Sequence, residues 1–415
     1  MNDAGEVKCP PWVVGLCAAM WCAASALAAS ERGNTLKTIA SQPSWIVRGS
    51  DVELAVTQLG GHMAPVTFYR NTDKPVQPYY ISPWQEENLK LDVPVLVPLR
   101  GDFFCMPFGA NQEACEGVNF PPHGETAGSK WTFVSLEKSG AATSLTLEMT
   151  TKIRPGKVTK RLSLVDGQNV VYCRHVLEGF SLKTPLGHHA TLAVGQEEGS
   201  LRIATSEIQF GMTCPVLFSD PANREYQSFA VNKKFQDLRH VPLLWKDCPE
   251  ADCTSFPART GFTDLLAIFS RKSQRVPAWT AATNQQGGYL WFSLKDPAVL
   301  PSTVFWISNR GRHGQPWNGR NRCLGLEDVC GYFAEGIAPS ARPNLLTEAG
   351  IPTSVELSPE RPTAVNHIQG VVKVPPGFNT VETVEFAPGK VTFLSATGQK
   401  VAAAVNHEFL WSGRL

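Results

Sequence analysis

Histidines, a glutamate and aromatic residues gather at three separated points of the chain: PPHGE (121–125), LGHHATL (186–192) and WISNRGRHGQPWNGRNRCLGLEDVCGYF (306–333). A carboxylate and an imidazole can exchange protons near neutral pH, one as base and the other as acid. Held on either side of a hydroxylated ring, with polar and aromatic groups around them, they have the means to open a sugar. Each stretch is a weak signal alone. Together they point to carbohydrate chemistry.

The Pro-Pro and Gly flanks place His123 on a constrained loop, which can present an imidazole rigidly to a ligand. A solvent-exposed turn histidine is the alternative. Leu186–Leu192 reads as a strand, where neighbours face opposite sides, so one of His188 and His189 enters a cleft while the other points away. Neighbouring histidines could also hold a metal, but no carboxylate or further histidine lies at a supporting local spacing. In the third segment, Thr303–Asn309 reads as a strand and Arg310–Arg322 as a glycine-rich loop. Leu324–Val329 then resumes apolar alternation, which sets Leu324, Leu326 and Asp328 on one face and Glu327 on the other. If Glu327 lines a cleft, semi-apolar surroundings raise its basicity; otherwise Glu327 and Asp328 are an acidic pair at a strand end. Trp306 and Trp317 offer aromatic faces for sugar C–H groups, or core packing.

Positioning these residues requires many strands. Period-two alternation recurs at Val52–Thr57 and Leu145–Thr150. Arg161–Val165, Asp166-Gly167 and Val170–Tyr172 read as a hairpin. Further strands are expected at Tyr289–Leu294, Thr303–Ser308, Val355–Leu357, Val391–Leu394 and Val401–Val405. Long amphipathic helices are absent, and 34 glycines with 31 prolines serve turns between short strands. The expected class is an all-β sandwich of large antiparallel sheets. One domain is expected from residue 45 to the end, after a loose polar lead-in at 30–44, with the tail from 385 closing the same sandwich.

The formal charge of +1 and the lack of a basic stripe argue against a nucleic-acid partner. Residues 11–29 are apolar and rich in alanine, ending in Ala26-Leu27-Ala28, and read as a signal peptide cut near Ala28 or Ala29. A secreted or periplasmic protein with no stable membrane insertion after cleavage is expected. The signal peptide is taken as residues 1–29, and eleven cysteines become eight once Cys9, Cys17 and Cys22 leave with it. Eight permit disulfides in an exported chain, Cys248 with Cys253 being the nearest pair, while buried free thiols are the plainer expectation. None shows the double CxxC or Cys/His spacing of a structural zinc site.

With the three segments in this order, the chain resembles the aldose 1-epimerase, or galactose mutarotase-like, superfamily. The likeness lies in His123-Gly124, Gly187-His188-His189 and Gly325-Leu326-Glu327, and spans roughly residues 50–340. It implies a large twisted β-sandwich, the galactose mutarotase-like supersandwich. It also implies Glu327 as general base, His189 as general acid with His188 as the alternative, and His123 as a binding partner for a ring or hydroxyl oxygen. Arg100, Asn309, Trp317 and Asp328 are the further expected substrate-binding residues. No metal or organic cofactor is required, and the partner implied is a small sugar or a glycan end. The chain departs from the family in having Ala190-Thr191-Leu192 where aromatics commonly follow the histidine, and Asp328 directly after Glu327. Two other functions fit such a sandwich: a non-catalytic carbohydrate-binding module, or part of a polysaccharide lyase or hydrolase. A glycosidase needs two carboxylates across the bond; Glu327 and Asp328 face apart, which leaves Glu125 as the second.

Overall fold

A computed structural model describes Met1 and residues 34–415. The segment read as a signal peptide lies outside the described residues. Two antiparallel sheets dominate. One has seven strands in the order Lys234–Phe235, Ile208–Thr213, Phe262–Ser270, Ser302–Asn309, Arg322–Cys330, Leu186–Ala193 and Phe104–Cys105. The other has nine: Ser255–Phe256, Leu201–Thr205, Ala278–Asn284, Tyr289–Lys295, Thr363–Lys373, Val170–Glu178, Gly156–Val165, Ala142–Thr151 and Thr132–Ser139. The main core lies between them, where Phe305, Leu324 and Leu326 of the first sheet join Leu162, Val171, Trp291 and Val371 of the second. This is the all-β sandwich that the alternation predicts.

A second apolar cluster covers the outer face of the seven-stranded sheet, with Leu265, Val304 and Trp306 beneath loop residues Trp84, Val95, Leu99, Phe103 and Trp317. That loop layer creates the cleft described below. No helix among the described residues is long and apolar enough to cross a membrane, which says nothing of a β-barrel.

Two parts of the chain differ from their sequence reading. The lead-in at 30–44 is not loose throughout, because Lys37–Ile39 and Gln42–Arg48 are the first strands of a four-stranded sheet. The reason lies some sixty residues away in sequence. The buried Arg100 guanidinium donates to the carbonyls of Ile39 (3.0 Å) and Ala40 (2.8 Å). The tail, expected to close the main sandwich, instead forms its own three-stranded sheet, Val381–Ala387, Lys390–Ser395 and Lys400–Ala404. Val391 and Phe393 pack it on Tyr172, Phe292 and Ile368, residues that the nine-stranded sheet turns away from the main core.

Candidate active site

Antiparallel pairing sets His189 directly opposite Glu327, and His188 opposite Asp328. Because the side-chain period is two, the first pair shares the outer face of the sheet and the second the inner face. Alternation at Leu324–Val329 therefore sorts the two carboxylates as the sequence predicts, and the register settles which histidine accompanies Glu327.

The outer pair is in contact. His189 Nε2 lies 3.0 Å from Glu327 Oε1, and His189 Nδ1 lies 3.1 Å from Thr191 Oγ1. The imidazole stacks on Phe103, with ring centres 4.5 Å apart. Gly325 makes room for this arrangement, since a Cβ there would stand 2.8 Å from Glu327 Oε1 and 3.0 Å from Trp306 Cβ. Glu327 is 2% exposed and His189 4%. Burial pushes the Glu327 carboxyl well above its ordinary value and the His189 imidazole well below. Both shifts favour one proton held within a neutral pair.

His123 joins from the loop, its ring centre 5.0 Å from that of His189. Its backbone is left-handed (φ 59°), and Gly124 follows at φ 75°, where a Cβ would lie 1.9 Å from the Met106 carbonyl oxygen. The Pro-Pro-His-Gly run thus folds as a tight, specific turn rather than an exposed one. Burial lowers the His123 pKa to about 4, so the ring is neutral at pH 7. Its Nδ1 has no hydrogen-bond partner among the described residues.

These three residues border one cavity of about 510 Å³, closed by Leu99, Phe103, Leu265, Trp306 and Trp317. Trp317 meets Trp306 and Trp84 edge-on, with centres 5.8 and 5.0 Å apart. Arg312, Glu335, Glu113 and Gln112 also line the cavity and were missed from sequence. Arg312 sits in the glycine-rich loop already singled out, its guanidinium 5.4 Å from the Trp317 ring centre and paired with Glu225 at 3.3 Å. No local signal marks Glu335.

The other expected binding residues lie elsewhere. Arg100 is fully buried and donates to Pro98, Ile39 and Ala40 carbonyls and to the Gln85 side chain, so it clamps backbone instead of facing the cavity. Asn309 donates to the Ala258 carbonyl at 2.8 Å at the end of its strand. Asp328 and His188 face the space between the sheets. Glu125 accepts from the backbone N–H groups of Lys152 and Ile153, and does not border the cavity. The eight cysteines among the described residues are all free thiols.

No family model matches the chain, and no curated protein matches it. Solved structures do. A galactose mutarotase-like protein from Clostridium acetobutylicum is 12% identical with a TM-score of 0.55, over 82% of this chain and 98% of that one. A galactose mutarotase related enzyme from Lactobacillus acidophilus is 10% identical with a TM-score of 0.51, over 80% and 98%. The chain therefore has the galactose mutarotase-like fold. At these identities the likeness extends to the fold alone.

Proposed function

We propose that the cavity takes a sugar ring and that Glu327 and His189 open and reclose it at the anomeric carbon, an aldose 1-epimerase type of isomerisation. The observation that carries this reading is the 3.0 Å contact between the two side chains at the wall of a cavity. The hydroxyl O1 and the ring oxygen O5 of a pyranose hang from one carbon, so the acid and base that serve them must be adjacent.

The proton count follows. Moving the proton of the pair from Glu327 to His189 gives a carboxylate and an imidazolium. The carboxylate takes the O1 proton while the imidazolium gives one to O5. The C1–O5 bond breaks, C1=O1 forms, and the pair is left as neutral acid and neutral imidazole. That is the state burial favours, so opening proceeds towards the preferred form of the pair. After rotation about C1–C2, Glu327 returns a proton to O1 and His189 takes one from O5, closing the ring on the other face. Thr191 Oγ1 holds the remaining ring nitrogen and with it the orientation of the imidazole. His123, on the cavity wall, is placed to meet a hydroxyl, and the tryptophans offer apolar walls to ring C–H groups.

NMR magnetisation transfer between anomers, run over an aldose panel, tests the reading. Exchange above the spontaneous rate for at least one aldose is expected. Sugar binding with exchange at the spontaneous rate would make the protein a carbohydrate-binding module instead. Export belongs to the same reading: sequencing the N-terminus of the secreted protein is expected to begin at Ala29 or Ser30.

A further inference from the structure

Between the sheets lies a second cluster of chemistry-bearing side chains that the cavity does not use. Asp102, just before Phe104–Cys105, Cys173 on Val170–Glu178 and His188 on Leu186–Ala193 each bring one ligand-capable atom to within 4.8 Å of the others. All three residues are at least 97% buried. They come from separate stretches of both main sheets, so the fold assembles them and local spacing does not reveal them.

Asp102 Oδ2 meets His188 Nδ1 at 2.8 Å. Asp102 Oδ1 and His188 Nε2 have no hydrogen-bond partner among the described residues, nor does either ring nitrogen of His175. His175 is 1% exposed and stands two residues from Cys173, hence on the same strand face. Its ring is 5.1 Å from that of His188 and stacks on Phe104 at 3.9 Å. Buried polar atoms are almost always paired, and two orphans on residues of one such cluster call for a ligand there.

We propose that Asp102, Cys173 and His188 form a three-residue binding site for a zinc-like divalent cation, whose fourth position is left to a water. Mixed sulfur, nitrogen and oxygen donors suit zinc and its neighbours, while calcium and magnesium require oxygen. A carboxylate and a thiolate balance the two positive charges, so the loaded site is neutral within the core; the Cys173 thiol proton leaves on binding. The buried Lys160 ammonium is tied to the Gly61 carbonyl (2.6 Å) and lies over Trp131, 4.9 Å from the ring centre, within electrostatic reach of Asp102 and Cys173. The cation would join the two sheets directly behind His189, and the proposal stands whether or not the cavity is catalytic.

The full chain is produced in zinc-supplemented and in cobalt-supplemented medium, purified, and analysed for metal by mass spectrometry and absorption. The expected result is about one ion per chain, a thiolate-to-cobalt charge-transfer band, and loss of that band in Cys173→Ser with the circular dichroism unchanged. If Cys173→Ser does not fold, X-ray absorption of the zinc-loaded wild type decides, with one sulfur neighbour expected. Folded wild-type chain free of metal in both media would overturn the site and leave buried water on these atoms. So would a cobalt band that survives in folded Cys173→Ser, or a metal with no sulfur neighbour.

Discussion

The strands Leu186–Ala193 and Arg322–Cys330 carry the same pair of residue types twice, one residue apart, with opposite results. On the outer face His189 and Glu327 have each other, Thr191 and apolar rings. On the inner face burial alone would push Asp328 up as it does Glu327. However, the Lys295 ammonium at 2.8 Å, with His367 at 2.9 Å, overrides burial and holds Asp328 well below the carboxylate range. Ser293 and Thr303 donate to it as well, at 2.7 Å each. A buried acid with a full set of donors is a structural anion, whereas one at a cavity wall beside a single imidazole is pushed by burial towards its neutral form. The difference lies in the neighbours, since depth of burial is the same.

The largest expected effect is on Glu327→Gln, which should lower anomer exchange by ~10²–10⁴-fold with the fold intact; unchanged exchange would remove Glu327 from the chemistry. Asp328→Asn should leave Lys295 buried without its counter-charge and destabilise the protein by ~3–5 kcal/mol in denaturant titration. Gly325→Ala, which crowds Glu327 and Trp306 without touching charge, should slow exchange roughly tenfold or more by misplacing the carboxylate. His123→Ala should act chiefly on affinity, weakening sugar binding by about fivefold as read by calorimetry.

The pH dependence of melting separates the two acids in sign. Asp328 has a depressed folded pKa, so its stabilisation is present above the ordinary aspartate value and is lost only as pH falls through its lower folded value. Glu327 has a raised one, so its contribution is complete below the ordinary glutamate value and is lost as pH rises through the folded value. Melting curves of Glu327→Gln should therefore gain on wild type as pH increases, and those of Asp328→Asn should converge with it in strong acid.

Strands were legible because alternation is local: Leu324–Val329 declares its two faces without reference to any partner. The same rule says only that His188 and His189 diverge. Choosing between them takes the pairing of His189 with Glu327, a contact across 138 residues (327 − 189). Arg100 was misjudged because a guanidinium that grips backbone carbonyls and one that grips a ligand look alike in sequence. What distinguishes them here is a turn sixty residues earlier. Glu335 and Arg312 reach the cavity through loop paths that no periodicity encodes. The likeness in His123-Gly124, Gly187-His188-His189 and Gly325-Leu326-Glu327 pointed to the fold that solved structures share, and to three residues now found around one cavity.

The clamp at Arg100 has a practical corollary for anyone trimming the chain. Its neighbour Leu99 forms part of the cavity wall, so the first hairpin and the wall are fastened through adjacent residues. Shortening that stops before Lys37 spares the hairpin. Shortening beyond Ala40 would strand guanidinium donors in the interior, and the damage would register at the cavity, far along the sequence from the cut.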